Sequence, residues 1–149
     1  MTEKKMTAEI VDGSQYETIR FPNDEILLRV TAGGTVQVIE YLSTDRDGPP
    51  PHYHTWDEVQ YVIEGEVEFY LNGRWITGGP GTVQMLPVGA AHSVRVPTGS
   101  ARLLFMAIGA PYDGFGRELA ALYAHDQASL ANIVAAAHRH GVYLEGETA

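Results

Sequence analysis

From residue 16 to residue 108 the chain alternates apolar and polar positions in short runs, each closed by Gly, Pro or Asn. Period-two alternation bounded by turn formers is the signature of half-buried strands. It predicts nine of them, over 16–21, 26–31, 35–42, 58–63, 66–71, 74–77, 82–86, 92–96 and 101–108. Pro22-Asn23, Gly33-Gly34 and Gly78-Gly79-Pro80-Gly81 supply breaks, and Asn72-Gly73 is a strong two-residue hairpin signal. So many short strands on tight turns predict an all-β domain, closed or nearly closed into an antiparallel barrel.

Past Pro111 the period changes. Phe115, Leu119 and Leu122 fall on one helical face, and Leu130, Ile133, Val134 and Ala137 on another. Asp126 is the expected N-cap of the second helix and Gly141 its expected C′ residue. Neither helix is long enough to stand alone, so both are expected to pack on the barrel or across a dimer interface. The predicted division is an arm over 1–15, a barrel over 16–111, and helices and tail over 112–149.

Composition narrows the function classes. At 149 residues, 44% apolar and 9% aromatic, the chain suits one folded domain. A net charge of −9 argues against nucleic acid and against anionic membrane surfaces. No cysteine is present, which excludes disulfides and thiolate metal sites. The N-terminal residues carry two Lys but no apolar run, so no signal peptide is expected and the expected location is cytoplasmic.

The chemistry concentrates in 49–65, where three prolines stiffen the approach to His52. On an extended backbone His52 and His54 point to one face, and Glu58 shares their parity at the start of a strand. His92 follows a second stiff turn, Pro87-Val88-Gly89-Ala90-Ala91. Three imidazoles and a carboxylate without sulfur suit a divalent transition metal, and Fe, Mn, Ni, Co and Zn all accept that set. Taken singly, each of these histidines reads as a loop or turn residue; their joint placement at strand mouths is what points to metal. Trp56 reads as a lid or a packing cap, and Gln60 as pocket lining or solvated face. Met85, Leu103 and Phe105 are expected to line the barrel, while Tyr61, Phe69 and Tyr70 are expected in core or interface. Arg95 and Arg102 read as surface strand residues, and His125, His138 and His140 as helical residues without a shared face.

These spacings resemble the cupins. His52-x-His54-xxx-Glu58-xxxxxx-Gly65 matches the later part of the first cupin motif, and Gly81-xxxxx-Pro87-x-Gly89-xx-His92 the second. Two positions depart from the pattern: Gly48 stands closer to His52 than the usual leading glycine, and Val96 replaces a common Asn. The resemblance implies a cupin jelly-roll barrel with a C-terminal helical extension, and one metal held by His52, His54, Glu58 and His92. The tail, with residues 115–119 and 130–146, is similar to that of quercetin-dioxygenase-like cupins. That implies a dioxygenase acting on an enolic or flavonol-like small molecule, with Glu58 as ligand, base or both. A non-oxidative isomerase, lyase or cyclase, and a small-molecule-binding cupin without turnover, are the alternatives. The resemblance also implies a homodimer paired through strands and the N-terminal arm.

Overall fold

A computed structural model describes residues 8–31 and 35–149. Eleven strands are formed among the described residues: β1 Glu17–Arg20, β2 Asp24–Val30, β3 Val36–Ser43, β4 His52–His54, β5 Asp57–Glu64, β6 Val67–Leu71, β7 Arg74–Gly78, β8 Val83–Leu86, β9 His92–Arg95, β10 Ala101–Ile108 and β11 Val142–Leu144. They make two antiparallel sheets, ordered β1-β2-β3-β10-β5-β8 and β11-β4-β9-β6-β7. The turn expected at Gly33-Gly34 lies outside the described residues.

From β3 onward each successive strand lies in the other sheet, except β6 and β7, which are neighbours in one sheet. The inward side chains therefore come from both layers. Ile26, Ile39, Tyr41, Val62 and Leu103 from one sheet meet Val67, Phe69 and Val94 from the other in a single buried cluster. This is the jelly-roll arrangement, with two helices after it. Gly65, between β5 and β6, has φ +86°, and a Cβ there would lie 2.4 Å from the Ser100 carbonyl oxygen. The first motif's last glycine thus permits a close backbone crossing.

Helix α1 spans Asp113–Ala124 and α2 spans Leu130–Arg139. The first has no side-chain cap of its own. The buried Gln37 of β3 takes that role, its Oε1 accepting from the backbone N–H of Tyr112 at 2.7 Å and of Asp113 at 3.1 Å. Its amide nitrogen donates to Asp113 Oδ1 at 2.9 Å. The cap of α2 is Ser129, which accepts from the N–H of Asn132 at 3.2 Å, rather than Asp126. Asp126 instead takes φ +54° just past the end of α1, a conformation short polar residues tolerate and a helix N-cap does not use. Gly141 follows α2 with φ +74°, as expected of a C′ residue.

The tail then adds β11, which the alternation does not announce. It pairs with β4 in the register Val142↔His54, Tyr143↔Tyr53 and Leu144↔His52. No described helix is long and apolar enough to cross a membrane.

Candidate metal centre

The three prolines before β4 have no N–H to donate, so they can attach to the barrel only through their carbonyls. Each carbonyl is used. Pro49 accepts from Ser93 Oγ at 2.6 Å, Pro50 from His52 Nδ1 at 2.9 Å, and Pro51 from the N–H of Glu145 at 2.9 Å. Gly48 packs so closely on β9 that a Cβ would lie 2.3 Å from the Val94 carbonyl oxygen. The displaced leading glycine therefore seats the loop directly on the strand that carries His92. The second motif is tied in as well: Gly89 N–H donates to the His54 carbonyl at 3.2 Å, and Val88 N–H to Asp57 Oδ1 at 2.9 Å.

The result brings the predicted residues to one place. His52 and His92 are paired across β4 and β9, and their rings stand 4.6 Å apart. The rings of His54 and His92 are 4.8 Å apart, and those of His52 and His54 6.3 Å. Glu58 comes from the opposite sheet. Its Oε2 lies 3.5 Å from His54 Nε2 and 3.3 Å from His92 Nε2. Ligand atoms of His54, Glu58 and His92 all fall within 4.8 Å of one another, and all three side chains are buried. His52, half-buried, stands at the side of this group.

Three features of the donor set fit a metal ion. Each imidazole has its Nδ1 committed to a backbone carbonyl: His52 to Pro50, His54 to Trp56 at 2.8 Å and His92 to Ala90 at 2.9 Å. That fixes the tautomer and leaves each Nε2 lone pair free to ligate. His54 Nε2 is buried without a hydrogen-bond partner. The 3.3–3.5 Å separations between nitrogen and carboxylate oxygen match donors sharing one ion, which stand about 3.0–3.4 Å apart when each is about 2.1 Å from it.

Electrostatics agree. Burial would raise the Glu58 pKa, and hydrogen bonding and positive charge at His54 and His92 lower it; where those rings are neutral, a cation held among the three would supply that positive charge. Burial, together with the neighbouring His92, lowers the His52 pKa to about 4, so the ring is neutral at pH 7. Glu58 is also held from behind by Gln60, whose Nε2 donates to Oε2 at 2.9 Å. Gln60 is therefore turned inward beside Glu58 and is not on a solvated face.

Trp56 is 2% exposed and stacks on His54, with ring centroids 4.1 Å apart and planes within 4°. It joins Ala107 and Val142 in a second apolar cluster, with Tyr112, Phe115 and Ala137 packed against them. The C-terminal segment thus covers the end of the barrel where the histidines sit. Burial raises the Tyr112 pKa, and the Glu58 charge raises it further, which keeps the phenol neutral. Residue reading missed Tyr112 and Gln37. The alternation of β3 does place Gln37 on the inward side with Ile39 and Tyr41, and that was the available signal.

The remaining candidates lie elsewhere. Leu103 is buried and Phe105 partly buried against the core, but Met85 is 65% exposed. Gln84 and Leu86 hold the inward positions of β8, so Met85 must point out. Arg95 pairs with Glu68 at 2.8 Å and lies over the Trp75 ring; Arg102 pairs with Glu40 at 2.9 Å. His138 meets Glu147 at 3.0 Å and His140 meets Glu118 at 2.6 Å.

Two antiparallel sheets with a buried group of two histidines and a glutamate between them define a jelly-roll protein with a candidate metal site. Residues 39–108, which hold all four predicted ligands, match the cupin domain family model. No curated protein sequence matches the chain. Among solved structures it is similar to an RmlC-like cupin from Shewanella frigidimarina, at 18% identity over 72% of this chain and 96% of that one, with a TM-score of 0.63. It is also similar to the polyketide cyclase RemF from Streptomyces resistomycificus, at 20% identity over 71% and 82%, TM-score 0.60. A third is the nucleoside dehydratase Pac13 of Streptomyces, at 14% identity over 69% and 83%, TM-score 0.57. At these identities the likeness is one of fold.

Proposed function

We propose that this cupin holds one divalent transition metal through His52, His54, Glu58 and His92. We further propose that it acts as a quercetinase-like dioxygenase on an enolic or flavonol-like small molecule. The observation that carries the reading is the setting of Glu58: a single buried, anionic carboxylate beside two imidazole Nε2 atoms whose tautomers are fixed. The metal, when bound, supplies a Lewis acid that lowers the pKa of a substrate hydroxyl. Glu58 accepts the proton released from that hydroxyl. Gln60 keeps Oε2 oriented while the charge on the carboxylate changes. Trp56, Tyr112 and Phe115 exclude bulk water from the deprotonated substrate. Both atoms of dioxygen enter the product, so no external reductant is required.

A second reading shares the proton transfer and omits oxygen. It is favoured by the fold neighbours that are a polyketide cyclase and a nucleoside dehydratase. The two part on one observation. Turnover of a flavonol with stoichiometric oxygen uptake supports the dioxygenase, and turnover that persists without oxygen supports the alternative.

Glu58→Gln tests the role common to both. The amide keeps an oxygen ligand but accepts no proton, so metal is retained in part while kcat falls by about 10²–10⁴-fold. A variant with unchanged kcat would remove Glu58 from the chemistry.

A further inference from the structure

Buried polar side-chain atoms are nearly always hydrogen-bonded, and each exception in a folded core asks for a cause. Among the described residues five such atoms have no partner: Asp24 Oδ1, His54 Nε2, Trp56 Nε1, Gln60 Oε1 and Gln84 Oε1. Four of the five gather around the candidate metal centre. His54 belongs to it and Trp56 stacks on His54; Gln60 binds Glu58, and Gln84 is the cross-strand partner of Gln60. The cross-strand register sets Leu86, Glu58 and Ala107 in one inward row of the six-stranded sheet. The next inward row is Gln84, Gln60, Phe105 and Ile39.

The two glutamines are 2% and 5% exposed, and neither amide can turn over. Gln60 Nε2 donates to Glu58 Oε2 at 2.9 Å, and Gln84 Nε2 donates to the Tyr70 carbonyl at 3.1 Å. Inverting either amide would set oxygen against oxygen. Both carbonyl oxygens are therefore held in the interior as acceptors, on side chains directly opposite each other across β5 and β8. Neither can satisfy the other, because each needs a donor.

We propose that Gln60 and Gln84 form a subsite that reads hydroxyl groups of the small molecule bound at the metal centre. The subsite rests on the function proposed for that centre and narrows its substrate: the ligand carries at least one hydroxyl besides the one whose proton Glu58 accepts. An amide spans about 2.3 Å from nitrogen to oxygen, which puts Gln60 Oε1 within about 5 Å of Glu58 Oε2. Hydroxyls on adjacent or next-adjacent ring carbons fit that spacing. Phe105 and Ile39, beside the pair, are apolar and suit the flat body of a polyhydroxylated enol or phenol. A carboxylate or phosphate would meet the amide oxygens and the Glu58 charge oxygen to oxygen, so an anionic ligand does not fit. A site built to hydrogen-bond a hydroxyl rejects the analogue that lacks it, because the buried acceptor is then left unpaired.

Titration calorimetry of the full chain loaded with Zn²⁺, which binds ligand without turning it over by oxidation, is the test. Two matched pairs of probes differ by one ring hydroxyl: pyrogallol against catechol, and 7-hydroxytropolone against tropolone. The wild type should bind the more hydroxylated member of each pair about tenfold or more tightly. In Gln84→Met, which keeps the side-chain length and removes the acceptor, that preference should fall to within about twofold. A general loosening of the barrel would weaken both members alike, so the ratio separates recognition from a structural role. Equal affinity for the two members in the wild type, as expected if the oxygens bind only water, would overturn the proposal whether or not the variant folds. A preference that survives in Gln84→Met would overturn it too. Failure of every probe to bind would overturn the subsite together with the function it rests on, whereas the preference found in a protein that takes up no oxygen with a flavonol supports the subsite and counts against the dioxygenase alone.

Discussion

Trp56 and His54 make the plainest residue-scale case for how packing sets chemistry. The indole lies flat on the imidazole, and its backbone carbonyl holds the imidazole Nδ1. One residue therefore fixes both the plane and the tautomer of a ligand. The His54 and His92 Nε2 atoms and Glu58 Oε2, 3.3–3.5 Å apart, are the donors that would hold a cation between them. Truncating Trp56 to Ala leaves a cavity beside His54 and should cost about 3–5 kcal/mol in denaturant unfolding. It should also weaken metal binding, because the His54 ring loses its support. Stability within 1 kcal/mol of wild type, measured on the metal-free protein, would show that the indole is not packed as described.

At the scale of elements, the helical tail is fastened to the barrel by specific polar bonds. Gln37 caps α1 from β3, and Asp113 binds both Gln37 and Arg117, the latter at 2.6 Å. Burial would raise the Asp113 pKa, but the bonds from Gln37 and Arg117 outweigh it and hold it below the ordinary aspartate value. A carboxylate lowered in the folded state is protonated more readily in the unfolded one. Its stabilisation is therefore complete above the unfolded value and is lost as pH falls through the folded value. Thermal melts should accordingly show a drop in Tm for the wild type below about pH 4, less steep in Asp113→Asn. Parallel curves for the two proteins would contradict the anchor.

Most of the strands were legible, because alternation over five or more residues has a clear period. β4 and β11, at three residues each, are too short to show one. They form because the proline loop and Gly141 deliver them side by side, a tertiary effect no local pattern carries. The cap of α2 was misplaced for a related reason: Asp126 and Ser129 are both good cap residues, and where α1 ends decides between them. Spacing singled out His54, Glu58 and His92, which lie together, and His52, which stands beside them. Gln37 and Tyr112 were not singled out, since the partners that give them meaning are 75 residues apart and meet only when the tail folds back.

For the whole molecule, the candidate metal centre is a tie between layers. His52, His54 and His92 belong to one sheet and Glu58 to the other. An ion held by both adds its binding energy to the folded state alone, about 2.7 kcal/mol at a hundredfold excess over Kd. Removing it with a chelator should therefore lower Tm of the whole domain in one transition.

The central claim is that His54, Glu58 and His92, with His52 beside them, hold one metal ion. Metal analysis of the purified protein beside His54→Ala and His92→Ala tests it most directly. The predicted result is about one divalent transition metal per chain in the wild type and a loss of at least tenfold in each variant, with the barrel still folded by circular dichroism. Stoichiometric metal retained in both variants would contradict it.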